Sequence, residues 1–200
     1  MRRESAAPRP SNSAGMRRRS RLTLIACLPM LALLLGGTAA AASLPPPVTA
    51  EPLQLQKVGD GRLSWLGFPI YHASLWTSDG RYEGFASGEP VALSLWYERR
   101  FSRDDLVGIT EQAWHRLGKN DARHEAWLAD LRRVFRDVEP GHNLTAVVIP
   151  GQGTRFFDHR QLLGEVSDAA FGPAFLSIWL DPRTLVKDLR VQLIGGDARR

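Results

Sequence analysis

Hydrophobic and polar residues alternate with a period of two along several stretches of the chain, a pattern typical of β-strands. The stretch 63–76 has bulky side chains on both faces, which predicts a central strand that Gly67 and Pro69 break or bulge. The glycines of the preceding segment, 59–61, tolerate a positive φ, so this segment is predicted to form a hairpin turn. The other strands predicted by the alternation are 53–56, 91–98, 144–149, 154–158 and 161–166.

The period changes to that of an α-helix in other stretches of the chain. Ser102 followed by Asp105 resembles a capping box, and the apolar stripe that starts there ends at Gly118. Asp121 is expected to cap a second helix, whose apolar face extends to Phe135. Two further helical stretches are 168–180 and 185–194, with Pro182 between them and Gly195 as a C-cap.

Strands and helices follow one another in blocks, without a regular alternation of strand and helix. This order predicts an α+β fold in which helices cover one face of an antiparallel sheet. The prolines at 45–47 predict a stiff extended segment, so residues 43–51 are assigned to a spacer and residues 52–197 to one domain. A chain of about 150 residues buries enough surface to be stable without disulfides.

Residues 1–42 have the features of a signal peptide for the general secretion route. Arginines at 17–21 precede an apolar run at 22–35, and small residues follow up to Ala42. The run has 14 residues, whereas a membrane-spanning helix needs about 20. We therefore expect cleavage near Ala42 and an exported, periplasmic protein that does not span the membrane. Cys27 lies before most of the apolar core, which argues against a lipoprotein, and translation starts at Met1 or at Met16.

The net charge changes sign once this segment is set apart. The full chain of 200 residues carries 26 basic and 21 acidic side chains, a balance that favours an anionic partner such as nucleic acid. Residues 1–42 hold seven arginines and one glutamate, so 19 basic and 20 acidic side chains remain in residues 43–200. The two signs are interspersed in that part, and a binding surface for nucleic acid is therefore not expected.

Candidate catalytic and metal-binding residues are few. The single cysteine, Cys27, is lost with the signal peptide, and the spacing of the five histidines fits no zinc motif. The sequence has no phosphate-binding loop and no dinucleotide motif, so neither a metal nor a cofactor is expected. His72 lies on a strand with large groups on both faces, where it is either a hydrogen-bonded core residue or an acid/base group in a cavity. The six tryptophans either fill the core or enclose an apolar ligand pocket.

Three segments taken together resemble a known family. They are 59–63 with 71–76 (Gly-Asp-Gly-Arg-Leu and Tyr-His-Ala-Ser-Leu-Trp), 153–157 (Gly-Thr-Arg-Phe-Phe) and 174–182 (Ala-Phe-Leu-Ser-Ile-Trp-Leu-Asp-Pro). In order and spacing they are similar to the exported bacterial chalcone isomerase-like proteins over nearly all of residues 52–195. The resemblance implies an open-faced β-sandwich, in which a layer of helices covers one face of a large antiparallel sheet and leaves a cleft between the two layers.

The catalytic residues that the resemblance implies are only partly present. Arg62 matches the arginine of chalcone isomerases approximately, Tyr71 stands where a threonine is expected, and Phe101 stands where a tyrosine is expected. The predicted helix 104–117 contains no asparagine to complete the set. Because Phe101 has no hydrogen-bond donor for an oxyanion, efficient cyclisation of a chalcone is not expected.

Fatty-acid-binding relatives on this fold use an arginine and a tyrosine for the carboxylate, and the resemblance implies the same role for Arg62 and Tyr71. The leading hypothesis is therefore a non-catalytic protein that binds a small apolar or amphipathic acid. One alternative is an isomerase acting on an enone, with Arg62 and Tyr71 as electrophilic groups and His72 as an acid/base group. The other alternative is an envelope module that docks a protein through exposed Trp114 and Trp127. In the leading hypothesis the ligand is lined by Trp65, Trp76, Trp96 and Trp179.

Overall fold

One antiparallel sheet forms the framework of the protein. The computed structural model describes residues 43–49, 51–119 and 122–196. In this part of the chain, six strands are hydrogen-bonded in the order in which they follow along the sequence. The strands are β1 (Gln56–Trp65), β2 (Phe68–Thr77), β3 (Val91–Tyr97), β4 (Asn143–Ile149), β5 (Gly153–Phe157) and β6 (Leu162–Val166).

A layer of helices covers one face of this sheet. Within the described ranges the helices are α1 (Pro46–Thr49), α2 (Arg103–Arg116), α3 (His124–Val134), α4 (Phe171–Leu180) and α5 (Lys187–Leu193), with a short 3₁₀ turn at Phe85–Ser87. Helices α2 to α5 share one hydrophobic core with the sheet, whereas α1 packs on the opposite face. The predicted α+β fold with helices on one face of an antiparallel sheet is confirmed. None of these helices is both long enough and apolar enough to cross a bilayer.

The alternation of side chains along each strand decides which residues face the helices. Leu63, Tyr71 and Tyr97 are cross-strand neighbours on β1, β2 and β3, and all three belong to the core beneath the helices. Arg62 and His72 are also cross-strand neighbours. They lie one position away from Leu63 and Tyr71 and therefore point to the other side of the sheet. We call the two sides of the sheet the helix face and the outer face.

The segment before β1 covers part of the outer face. Pro46–Thr49 form one helical turn, and Leu44 and Val48 are buried against side chains of β3, β4 and β5. The prediction of an extended segment is wrong here, because proline fits the first turn of a helix and the outer face offers these side chains an apolar surface. Leu53 and Leu55 pack against the same surface but precede β1 instead of forming a strand of their own.

The first hairpin turn lies at Leu66 and Gly67, not in the segment 59–61. Leu66 has φ 50° and Gly67 has φ 81°, so both turn residues are left-handed. The stretch 63–76 is therefore divided between two strands, of which β2 is interior to the sheet. Gly59 and Gly61 lie inside β1 without a positive φ, and they leave room for α5 on the helix face. The glycines were expected to supply backbone freedom, whereas what they supply is the absence of a Cβ.

The predicted helix after Ser102 is confirmed. The Ser102 hydroxyl donates to the Asp105 carboxylate at 2.7 Å and accepts from the Asp105 backbone N–H at 3.1 Å. Hydrogen bonds from the Ser102 hydroxyl and backbone N–H lower the pKa of Asp105. Gly195 follows α5 with φ 75°, as expected for a C-capping glycine. Asp121, which was predicted to cap α3, lies outside the described residues.

Candidate ligand-binding cavity

A cavity of about 390 Å³ lies between the helix face of the sheet and helices α2 and α4. Its wall is predominantly apolar, and its volume is in the range of small-molecule sites. The sheet contributes Leu63, Leu95 and Leu144, and the helices contribute Leu106, Phe175 and Ile178. The cleft implied by the family resemblance is thus hollow in the structure.

Two tyrosines bring phenol groups to this apolar space. The Tyr71 hydroxyl accepts a hydrogen bond from Trp179 Nε1 at 2.9 Å, so its own proton stays available for a ligand. Tyr97 packs edge-to-face against Tyr71, with ring centroids 6.0 Å apart. Its hydroxyl forms no hydrogen bond with any described residue. The cavity therefore holds two hydrogen-bond donors that a ligand oxygen can use.

Burial keeps both phenols protonated. It raises the pKa of Tyr71 to about 12, although the hydrogen bond from Trp179 acts in the opposite direction. Burial also raises the pKa of Tyr97, and the neighbouring Tyr71 adds to the effect. At neutral pH these groups can donate a hydrogen bond to a carbonyl or carboxyl oxygen, but neither can serve as a general base.

Alkaline titration is expected to show this protonation state directly. Burial also raises the pKa of Tyr82, the third tyrosine of the chain, to about 12. Phenolate absorbance of the native protein should therefore stay low at pH 10, the ordinary pKa of tyrosine. Because folding disfavours the phenolate, the free energy of unfolding should fall as the pH rises from 10 through 12. Phenolate formation near pH 10 in the folded protein, monitored by circular dichroism, would contradict the burial of these rings.

The mouth of the cavity combines exposed apolar side chains with two arginines. Trp65, Ile109 and Leu185 line it and are half or more exposed. Arg183 is held by Asp181 through two hydrogen bonds of 3.1 and 3.0 Å, and this contact lowers the pKa of Asp181 to about 2. In contrast, Arg116 forms no ion pair with any described residue. Its guanidinium is free to bind an anion at the mouth.

The structure separates Arg62 from Tyr71. Arg62 extends from the outer face and pairs with Glu98 at 2.9 Å, whereas Tyr71 lies on the helix face. His72 is also on the outer face, where its Nε2 lies 3.1 Å from Asp60 Oδ2. The expectation that Arg62 and Tyr71 bind one carboxylate together is therefore wrong. Arg62 pairs across the hairpin with His72, the neighbour of Tyr71, and adjacent positions of a strand point to opposite sides of a sheet. His72 is likewise not placed to act on a ligand in the cavity.

The same alternation divides the four tryptophans expected to line the ligand. Trp65 and Trp179 line the cavity. Trp76 and Trp96 are half-buried on the outer face, and Trp76 Nε1 donates to Ser74 Oγ at 3.0 Å. The expectation that Trp76 and Trp96 line the ligand is therefore wrong, because alternate residues of β2 and β3 point to opposite faces of the sheet.

The docking hypothesis based on Trp114 and Trp127 is also corrected. Trp114 is fully buried, and its Nε1 donates to the Ala174 carbonyl at 2.9 Å. Trp127 is buried beside it, with ring centroids 5.7 Å apart. Neither ring is exposed for a partner, because both fill the core between α2, α3 and α4.

Sequence reasoning missed Tyr97 and Arg116. Tyr97 has the same strand parity as the other core residues of β3, so its orientation could have been predicted from the alternation. Arg116 lies seven residues after Ile109, which belongs to the predicted apolar stripe of α2, and therefore lies on the same side of that helix. The described residues contain no group of three or more histidine, cysteine or acidic side chains that could hold a metal ion.

Three comparisons with known proteins bear on this arrangement. The family model described as chalcone isomerase-like matches residues 37–195. An uncharacterized protein of Haemophilus influenzae is 28% identical over 140 residues, which cover 70% of this chain and 68% of that protein. The crystal structure of an Arabidopsis thaliana fatty-acid binding protein matches with a TM-score of 0.56 at 12% identity, covering 71% of this chain and 87% of that chain. At this identity the structural match shows the shared fold.

Proposed function

Since the chain belongs to the chalcone isomerase-like family, we propose that it is a non-catalytic binding protein for a small apolar or amphipathic acid. The observation that carries the proposal is the apolar cavity, which has two phenol donors inside and, at its mouth, a guanidinium that pairs with no carboxylate among the described residues. The Arabidopsis thaliana protein of similar fold is a fatty-acid binding protein, and this supports the ligand class.

The charge distribution orients the ligand. A carboxylate loses much free energy when it is buried without a partner, so it stays at the mouth and binds Arg116. The apolar part then enters the cavity, where its burial contributes about 25 cal/mol per Å². An oxygen on this part would accept a hydrogen bond from Tyr97, whose hydroxyl otherwise has no described partner.

The role of Arg116 gives a prediction with a matched control. Arg116→Gln is expected to weaken the binding of a long-chain carboxylic acid by about tenfold or more, since a charge-assisted hydrogen bond contributes about 1.5–3 kcal/mol. The affinity for the methyl ester of the same acid should not change, because the ester lacks the charge. Displacement of a fluorescent fatty acid measures both affinities.

Arg62→Gln is the control, because Arg62 is also an exposed guanidinium but lies on the outer face. It should leave both affinities unchanged. Equal losses in the two variants, or an equal loss for acid and ester, would show that the carboxylate does not bind Arg116.

The enone-isomerase alternative now depends on different residues. With Arg62 on the outer face, the phenols of Tyr71 and Tyr97, which line the cavity, take its place as the groups that would polarise the carbonyl of an enone. Absorbance of an added chalcone, recorded in the binding assay, separates the two functions. A lasting enone band shows binding without conversion, and a decaying band shows an isomerase.

We also propose that the protein is exported, with residues 1–42 as a cleaved signal peptide. These residues lie outside the described part of the structure, and the arginine cluster followed by an apolar run supports the proposal. The mass of the protein recovered from the periplasm tests it. A mature chain that starts near Ser43 is expected, and an uncleaved chain in the cytoplasm would overturn the proposal.

A further inference from the structure

The tip of the β1–β2 hairpin exposes large hydrophobic side chains at a strained turn. Trp65, Leu66 and Phe68 are 66%, 76% and 61% exposed. Leu66 is the only residue other than glycine with a positive φ among the described residues. Two-residue turns of this left-handed kind favour Asn-Gly, whereas leucine has no side-chain group that compensates for the strain. Neither the strained backbone nor the exposed side chain of Leu66 stabilises the fold, which indicates that this residue serves to contact another molecule.

The tip is continuous with the mouth of the cavity. Trp65 pairs with Phe68 across the hairpin and also lines the cavity. Ile109 on α2 and Leu185 before α5 line the same mouth and are 50% and 68% exposed. An apolar surface thus leads from the hairpin tip into the ligand cavity. Clustered exposed apolar groups of this kind mark an interaction surface.

The charges around this surface are positive on balance. The Arg99 guanidinium lies 5.8 Å from the centroid of the Phe68 ring, and Arg116 lies at the mouth. Neither forms an ion pair with a described residue. The other two arginines near this surface are neutralised, since Arg62 pairs with Glu98 and Arg183 pairs with Asp181. Such a surface fits a partner that has an apolar interior covered by an anionic surface.

We propose that the hairpin tip and the cavity mouth dock on an anionic lipid bilayer. Trp65, Leu66 and Phe68 enter the boundary between headgroups and acyl chains, while Arg99 and Arg116 face the headgroups. The proposal builds on the binding function proposed above, because docking places the cavity mouth where an amphipathic acid leaves or enters the membrane. The acid then passes between bilayer and cavity without crossing bulk water.

Leu66→Asn tests the docking without disturbing the fold. Asn-Gly is the favoured sequence for this turn, so the variant should keep or improve the hairpin while it removes an exposed apolar side chain. We expect Leu66→Asn to weaken binding to phosphatidylcholine vesicles containing phosphatidylglycerol by roughly tenfold, measured by co-sedimentation. Arg99→Gln should weaken it by about fivefold, and added salt should weaken binding of the wild type.

Leu162→Ser is the matched control. Leu162 is 49% exposed and lies on β6, at the opposite edge of the sheet from β1. This variant should bind the vesicles like the wild type. Binding of the fluorescent fatty acid in solution should be unchanged in Leu66→Asn, because Leu66 and Phe68 do not line the cavity.

The outcomes separate docking from ligand binding. A wild type that does not sediment with anionic vesicles, or a Leu66→Asn variant that sediments like the wild type, overturns the docking proposal even if the fatty acid binds. A wild type that dimerises through the tip, with dimerisation lost in Leu66→Asn and no vesicle binding, replaces the bilayer with a protein partner. Vesicle binding without fatty-acid binding supports docking and refutes the binding function.

Discussion

Gly59→Ala is expected to lower the free energy of unfolding by about 3 kcal/mol, more than any other alanine substitution in β1. A Cβ at this position would lie 2.2 Å from the Gln192 carbonyl oxygen and 2.7 Å from that of Leu193, both in the backbone of α5. A backbone carbonyl cannot turn away like a side chain, so the whole helix must shift. Chemical denaturation monitored by circular dichroism measures the change.

Two other glycines give the controls for this prediction. At Gly61 the nearest atom to the added Cβ is Gln192 Oε1 at 2.2 Å, the mobile end of a side chain, and the nearest fixed atom is Gln192 Cβ at 2.9 Å, so Gly61→Ala should cost less, roughly 1–2 kcal/mol. At Gly108 in α2 a Cβ meets nothing within 4 Å, and Gly108→Ala should stabilise the protein by about 0.5–1 kcal/mol. If Gly59→Ala costs no more than Gly61→Ala, α5 does not pack on β1 as described.

These glycines show where local reasoning fails. The capping box at Ser102 was predicted correctly because its donors and acceptors lie within three residues of one another. Whether Gly59 supplies a positive φ or the absence of a Cβ depends on Gln192, which is distant in sequence. Single-sequence reasoning therefore identified the fold class and most of the helices and strands, but it misplaced the first turn and the start of β1 and missed the helical turn Pro46–Thr49.

The same misplaced turn affected the candidate site. Side chains on a strand alternate with a period of two, so their assignment to a face is only as good as the register. The pairing of β1 with β2 has an irregularity between Leu63 and Ser64, next to the true turn. Tyr71 and Trp179, which were both expected beside a ligand, line the cavity. Arg62 was expected there too, but the turn at Leu66 pairs it with His72 and so directs it to the outer face.

Filling the cavity is expected to abolish ligand binding and to stabilise the protein at the same time. Ala113 on α2 lines the cavity beside Thr110 and Leu117. Ala113→Phe places an aromatic ring in space that is otherwise empty, so the free energy of unfolding should rise by about 1 kcal/mol. Fatty-acid affinity should fall by more than about a hundredfold, since the ring occupies the volume that the ligand needs.

The sign of the stability change decides whether the cavity is hollow in solution. If side chains collapse into it, the added ring overpacks the core and costs about 1–3 kcal/mol instead. Ala129→Phe, at an exposed position of α3, controls for the aromatic ring itself and should change neither affinity nor stability by more than about 0.5 kcal/mol. A destabilised Ala113→Phe that still binds the fatty acid would place the ligand elsewhere. A stabilised variant without binding identifies the sheet–helix cavity as the site.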